Sequence, residues 1–163
     1  MSPSYHLAQV NIGTFIHPLD DPRTAGFADM LAPVNALAEA SPGFVWRLVG
    51  DGGTDATSLR PYGDGAPDTL INLSVWESME SLWEFTYRTE HIDLLRRRRE
   101  WFVHMKEVHA ALWWVPAGHL PTVGEAVERL ALLRGGGPTA EAFTFRDAFP
   151  PPEGVAVSGS ESA

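Results

Sequence analysis

The chain has 163 residues and a mass of 17.9 kDa, the size of one domain, which buries about 70% of the surface its unfolded form exposes. With no cysteine, a disulfide scaffold, a thiol nucleophile, a redox CxxC pair and Cys-ligated zinc are all excluded, and the composition fits the cytoplasm. Twelve basic against 21 acidic residues leave a net charge of −9, unsuited to a nucleic-acid backbone; no apolar run reaches the roughly 18 residues of a membrane span, and the N-terminus lacks a signal-peptide pattern.

Period-two alternation marks a first strand from Tyr5 to Ile12. Asp21-Pro22 reads as N-cap and first position of a helix running to about Ala40, which Pro33 should kink. Ser41-Pro42-Gly43 stops that helix, and Phe44 to Val49 forms the second strand. Residues 50–68, rich in Gly, Asp, Thr and Pro, form a long hairpin loop before a third strand, Thr69 to Trp76. A short helix over Ser78 to Tyr87 and a longer one over about Glu90 to Val108 follow, then a fourth strand, Ala111 to Pro116. Thr122-x-x-Glu125 is a capping box opening a further helix, which Gly135-Gly136-Gly137-Pro138 ends. Ala142 to Phe145 suits a short edge strand. The domain is expected over residues 1–146, and the Pro-, Gly- and Ser-rich stretch 147–163 as a disordered tail. The order β-α-β-β-α-β is the ferredoxin-like, α+β arrangement, with an added C-terminal helix and strand. Its sheet has one face under helices and one bare, the bare face expected to be hidden by a second copy in a homodimer.

Alternation assigns Ala8, Val10, Ile12, Ile71, Leu73 and Val75 to the helix side and leaves Gln9, Asn11, Asn72, Ser74 and Trp76 on the open face. Asparagine is depleted in strands, so Asn11 and Asn72 stand out. Amides beside indoles suit a cavity that orients a flat, oxygenated ligand through a few hydrogen bonds. The pattern does not choose between Phe44, Trp46, Leu48 and Val45, Arg47, Val49 on the second strand. On the fourth strand Trp113 and Trp114 point to opposite faces.

On the longer helix, His91, Leu95, Arg98, Phe102, Met105 and His109 recur at steps of three and four, forming one stripe. Of the run Arg96 to Arg99, only Arg98 lies in that stripe, and Trp101 overlaps it one turn on. Arg98 is either a snorkelling or internally paired cation, or an anion clamp for a substrate carboxylate or phenolate. Histidine suits proton transfer near pH 7. His91 shares a face with Arg98, and His119 sits in a rigid Pro-Gly loop after the indole-bearing strand, whereas His109 suits a helix C-cap. The candidate catalytic residues are thus His91, Arg98 and His119, and the candidate substrate-binding residues Asn11, Trp46, Asn72, Trp76, Trp101 and Trp113. No metal-binding, phosphate-loop or GxSxG signature is present.

The stretch from Ser74-Val75-Trp76-Glu77 to Leu82-Trp83-Glu84-Phe85 is similar to the dimeric α+β barrel superfamily, including antibiotic-biosynthesis monooxygenases. More closely, the chain resembles an uncharacterised bacterial family, domain of unknown function 3291. The similarity lies in Leu7-Ala8-Gln9-Val10-Asn11-Ile12-Gly13, Pro42-Gly43-Phe44-Val45-Trp46-Arg47, Asn72-Leu73-Ser74-Val75-Trp76, Arg97-Arg98-Arg99-Glu100-Trp101-Phe102 and Leu112-Trp113-Trp114-Val115-Pro116, within about residues 5–149. The resemblance implies a homodimer with a pocket between each sheet and its own helices, and an Asn and a Trp near the substrate, where Asn72 and Trp76 are similarly spaced.

The expected function is a cofactor-independent, monooxygenase- or isomerase-like enzyme for an aromatic or polyketide-like small molecule. His91 or His119 would take a proton, and Arg98 with Asn72 would stabilise the oxyanion. The alternatives are haem binding through a histidine of the long helix, and a non-catalytic ligand-binding or dimerisation module.

Overall fold

The structure, a computed structural model, describes residues 4–50, 53–89 and 91–152. Four strands form one antiparallel sheet: β1 (Tyr5–Thr14), β2 (Phe44–Arg47), β3 (Thr69–Trp76) and β4 (Ala110–Pro116), in the order β2-β3-β1-β4. That order, with α1 (Ala25–Ala40) between β1 and β2 and α2 (Met79–Arg88) after β3, is the ferredoxin-like α+β topology. Asp21 caps a single 3-10 turn over Pro22–Thr24 before α1 begins, and α1 continues through Pro33, which is exposed. Ser78 and Ser81 form the reciprocal box that starts α2.

Four departures from the sequence reading shape the site. First, the faces of the sheet are exchanged. Gln9, Asn11, Asn72, Ser74 and Trp76 lie beneath α1 and α2, and the wholly apolar face carrying Ala8, Val10, Ile12, Ile71, Leu73 and Val75 packs against α5 (Val123–Gly136). A face without polar groups suits a dry helix contact through Ala126, Leu130 and Leu133, with Leu48 and Leu59 packed against the same cluster.

Second, that face is buried from within the chain. Val10, Val75 and Trp113 are fully buried, the face turned away from α1 and α2 being covered by α5 of the same chain.

Third, the long helix is two short ones, α3 (His91–Arg96) and α4 (Arg98–Trp101). The chain leaves helical geometry at Phe102 because its backbone joins the end of β1. Trp101 O accepts from Ile16 N (2.8 Å), and Val103 N donates to Thr14 O (2.8 Å). The Phe102 ring stacks on Phe15 at 4.9 Å and meets Phe27 edge-on at 5.2 Å. This tertiary packing overrides a helical periodicity that continues to His109.

Fourth, Ala142 to Phe145 makes only isolated bridges, Leu112 with Phe143 and Thr139 with Ala142. Beyond it, Phe149 is held on the body. Its carbonyl accepts from Trp114 Nε1 at 2.8 Å and its ring meets Phe143 at 5.9 Å, so the stretch expected as tail begins with packed residues. The remainder of that stretch, 153–163, lies outside the described residues.

Candidate functional site

Between the polar face of the sheet and helices α1 to α3 lies a cavity of about 540 Å³, within the range of small-molecule sites. Its walls are apolar: Phe27, Met30, Leu31 and Val34 from α1, Leu82 and Phe85 from α2, Leu94 and Leu95 from α3. Its floor is a row of amides. Asn72 sits mid-strand on an interior strand, under helices, and is nevertheless exposed because the helix layer stands away from it.

The β1–β3 register places Gln9 opposite Ser74 and Asn11 opposite Asn72, which lets their side chains bond across the strands. Gln9 Nε2 donates to Asn72 Oδ1 (2.6 Å) and Ser74 Oγ (2.7 Å). Asn11 Nδ2 donates to Gln9 Oε1 (3.1 Å) and Asn72 Oδ1 (3.3 Å). Trp76 Nε1 donates to Ser74 Oγ at 2.9 Å. An indole N–H only donates, so Ser74 Oγ accepts twice, from Trp76 and Gln9, and both its lone pairs are committed. Its hydroxyl hydrogen and the Nδ2 hydrogens of Asn72 have no acceptor among the described residues. Two neighbouring donors therefore remain uncommitted on the floor of an otherwise apolar cavity.

His91 stands at the Trp76 end. Its ring packs on Phe85 (4.8 Å between centroids), which stacks on Trp76 (5.1 Å). Nδ1 lies 3.2 Å from Thr86 O. A carbonyl only accepts, so Nδ1 carries the proton and Nε2 is left as the basic nitrogen. Burial disfavours the imidazolium and holds the pKa of His91 below its ordinary 6.5, against a smaller opposing effect of the Thr86 carbonyl.

Arg98 stands at the other end. Nη2 donates to Ile12 O (3.2 Å) and the guanidinium lies over Phe102 at 5.0 Å. Among the described residues no carboxylate pairs with it, whereas Arg97 is bound to Glu100 and Arg47 to Glu39. Burial lowers the pKa of Arg98, a group that stays charged at neutral pH. Gly13 makes its position available. A Cβ there would lie 2.6 Å from Phe102 Cδ1 and 3.3 Å from Arg98 Nη2. Because Phe102 is wedged between Phe15 and Phe27, Gly13→Ala is expected to cost about 1–3 kcal/mol in thermal unfolding and to displace Arg98.

Five sequence candidates thus line the cavity: Asn11, Asn72, Trp76, His91 and Arg98. Four lie elsewhere. Trp46 opposes Val75 on the α5 face, because a bulge between Phe44 and Trp46 shifts the register and turns Arg47 to the cavity instead. Trp113 belongs to the same far face, its Nε1 donating to Glu125 Oε2 at 2.9 Å. Trp101 packs against Phe27 (5.7 Å) under the Arg97 guanidinium. His119, on the loop after β4, is bound through Nε2 to Glu125 Oε1 at 2.8 Å, on the α5 side of the sheet. Burial works to raise the Glu125 carboxyl, but hydrogen bonds from His119 and Trp113 hold it below its ordinary value. Glu125 therefore anchors the loop to α5, and only half of the expected capping box forms, Thr122 Oγ1 accepting from Glu125 N.

The sequence reading left out Gln9, Ser74 and His109 as site residues. Gln9 on β1 bonds to both Asn72 and Ser74 of β3 through the cross-strand register, which a single strand's pattern does not reveal. The sequence stripe places His109 at a helix C-cap, but the helix ends at Trp101 and His109 lines the cavity near Arg98. Burial holds its pKa low, the Glu107 carbonyl opposes this, and Arg98 lowers it further. Among the described residues no group of three or more His, Asp or Glu is placed to hold a metal ion, and no helix is long and apolar enough to cross a membrane.

Fold and site together define a ferredoxin-like α+β domain with a polar-floored cavity between its sheet and its helices. The sequence matches the family described as Domain of unknown function (DUF3291) over residues 6–158, and the chain belongs to that family. No curated protein matches the sequence. Among solved structures, SnoaB from Streptomyces nogalater, a cofactor-independent oxygenase, is similar with a TM-score of 0.46 at 16% identity, over 71% of this chain and 95% of that one. NE2512 from Nitrosomonas europaea, a protein of unknown function, gives a TM-score of 0.44 at 16% identity, over 73% of this chain and 97% of that one.

Proposed function

We propose that this protein is a cofactor-independent, monooxygenase- or isomerase-like enzyme that removes a proton from a flat aromatic, polyketide-like small molecule bound on the amide floor. The observation carrying this reading is the pairing of two donors uncommitted among the described residues, Asn72 Nδ2–H and Ser74 Oγ–H, with a half-buried histidine whose Nε2 has no partner among those residues. A C–H flanked by a carbonyl loses its proton to Nε2 of His91, and the electron pair moves onto the carbonyl oxygen. Asn72 and Ser74 then donate to that oxygen as its charge grows, each such donor worth about 2.7–4 kcal/mol when preorganised. The apolar walls exclude water and strengthen both interactions. Reprotonation at another carbon gives an isomer with no change of atoms. Attack of the carbanion on dioxygen, return of the proton and loss of water convert CH2 plus O2 into C=O plus H2O.

Proton removal is common to both outcomes and can be read directly. Dithranol, a dihydroxy anthrone with an acidic CH2, is incubated with the protein in D2O under nitrogen, and deuterium incorporation is followed by NMR. Exchange faster than in buffer alone is expected, and admission of air then tests for conversion of the CH2 to a carbonyl. Exchange no faster than the buffer rate would refute the assignment of His91 as a base.

A further inference from the structure

The cavity has a built-in polarity that narrows the class of ligand. The β1–β3 register sets Trp76 opposite Leu7 and Gly13 opposite Leu70. His91 and Arg98 stand seven residues apart along α3 and α4, about 10 Å at the helical rise. His91 is tied to the Trp76 end through Phe85. Arg98 is tied to the Gly13 end through Ile12 O and Phe102. The proton acceptor and the cation thus address different parts of a bound molecule, with the Asn72–Ser74 donors between them.

At the Gly13 end Arg98 is the permanent charge. His109, its neighbour there, is kept toward the neutral form by burial and by Arg98 itself. Arg98 spends one N–H on Ile12 O, and no carboxylate among the described residues answers the rest. A half-buried guanidinium with unused donors, facing an apolar cavity in a chain of net charge −9, is costly to hold unless an anion completes it. The carboxylate lining the cavity, Asp55, has Oδ1 engaged by Thr57 N (2.9 Å) and Thr57 Oγ1 (2.5 Å).

We infer that the natural ligand is an elongated polycyclic acid whose carboxylate sits on Arg98, at the end remote from the C–H that ionises. This rests on the reading of the cavity as the ligand site and adds to it a fixed anionic group. Arg98 is then a specificity-determining residue that holds a charge present throughout the reaction, and the developing oxyanion belongs to Asn72 and Ser74.

A matched pair of anthraquinones tests the inference: rhein, which carries a carboxylate, and aloe-emodin, the same scaffold with a hydroxymethyl group in its place. Dissociation constants are measured for both by quenching of tryptophan fluorescence at neutral pH. The native protein is expected to prefer rhein by about tenfold or more, the size of a hydrogen-bonded charge pair. Arg98→Gln should bring the two affinities to near parity by weakening rhein alone, and Arg98→Lys should keep a reduced preference, with circular dichroism confirming that each variant is folded. If the native protein binds both compounds equally, the carboxylate inference falls while the aromatic-ligand reading stands. Persistence of the full preference in Arg98→Gln overturns it as well. Binding of neither compound overturns both the inference and the cavity reading beneath it.

Discussion

Replacing His91 by Gln is expected to slow deuterium exchange into dithranol by two to four orders of magnitude, the usual worth of a positioned general base. Glutamine retains a group able to bond near Thr86 O but has no basic nitrogen, so the fold and the affinity for a non-ionising analogue should change little. The pH profile supplies the sign. His91 accepts a proton only when neutral, and burial keeps its pKa below 6.5. Exchange in the native protein should therefore rise with pH on a limb lying below 6.5 and level off before neutrality. In His91→Gln that limb should vanish, leaving the dependence of buffer catalysis. A native limb centred above 6.5 would contradict the placement of the base in a desolvated site.

The second large effect concerns stability. Leu130 is fully buried between α5 and the apolar sheet face, while Leu132, two residues on, is 42% exposed. Leu130→Ala should cost about 2–5 kcal/mol, lowering the midpoint of thermal unfolding by about 5–15 °C at the usual conversion for this size. Leu132→Ala should stay within about 0.5 kcal/mol of the parent. Leu130→Asp places a charge against Val10, Val115 and Trp113, and should loosen α5 from the sheet. The face thus uncovered is broad, dry and apolar, so the variant is expected to self-associate when followed by light scattering after size exclusion. If Leu130→Asp keeps the native unfolding midpoint and the native mass, then α5 is not what covers this face.

Much of this architecture is legible in the chain. Period-two runs locate β1, β3 and β4, capping residues at Asp21, Ser78 and Thr122 open helical segments, and the element order identifies the topology. What alternation cannot supply is the identity of the layer above each face. An apolar set such as Ala8, Val10 and Ile12 fits any dry partner, and the partner here is α5. The amides that alternation assigns to an open face instead floor a cavity beneath α1 to α3. The exchange of faces moves Asn11, Asn72 and Trp76 from an open surface into an enclosed site without altering their mutual spacing. Strand β2 shows a second limit: one bulged residue exchanges Trp46 for Arg47 at the cavity, and a bulge leaves no mark in hydrophobic pattern. The helical stripe from His91 to His109 is a third. Its period is intact in sequence, yet Phe102 is claimed by Phe15 and the extended end of β1, a contact between residues far apart in the chain. His119 looked catalytic because a Pro-Gly loop holds it, and the loop is held for Glu125.

The central claim is that the amide row is the floor of a ligand site. It is tested most directly by titrating the isotope-labelled protein with dithranol under nitrogen and following side-chain amide and imidazole signals by NMR. The account predicts that the Asn72 Nδ2 hydrogens and the His91 ring shift in a saturable way, while His119 on the far side of the sheet does not. Saturable shifts confined to His119 and the α5 side, with Asn72 and His91 unmoved, would contradict it.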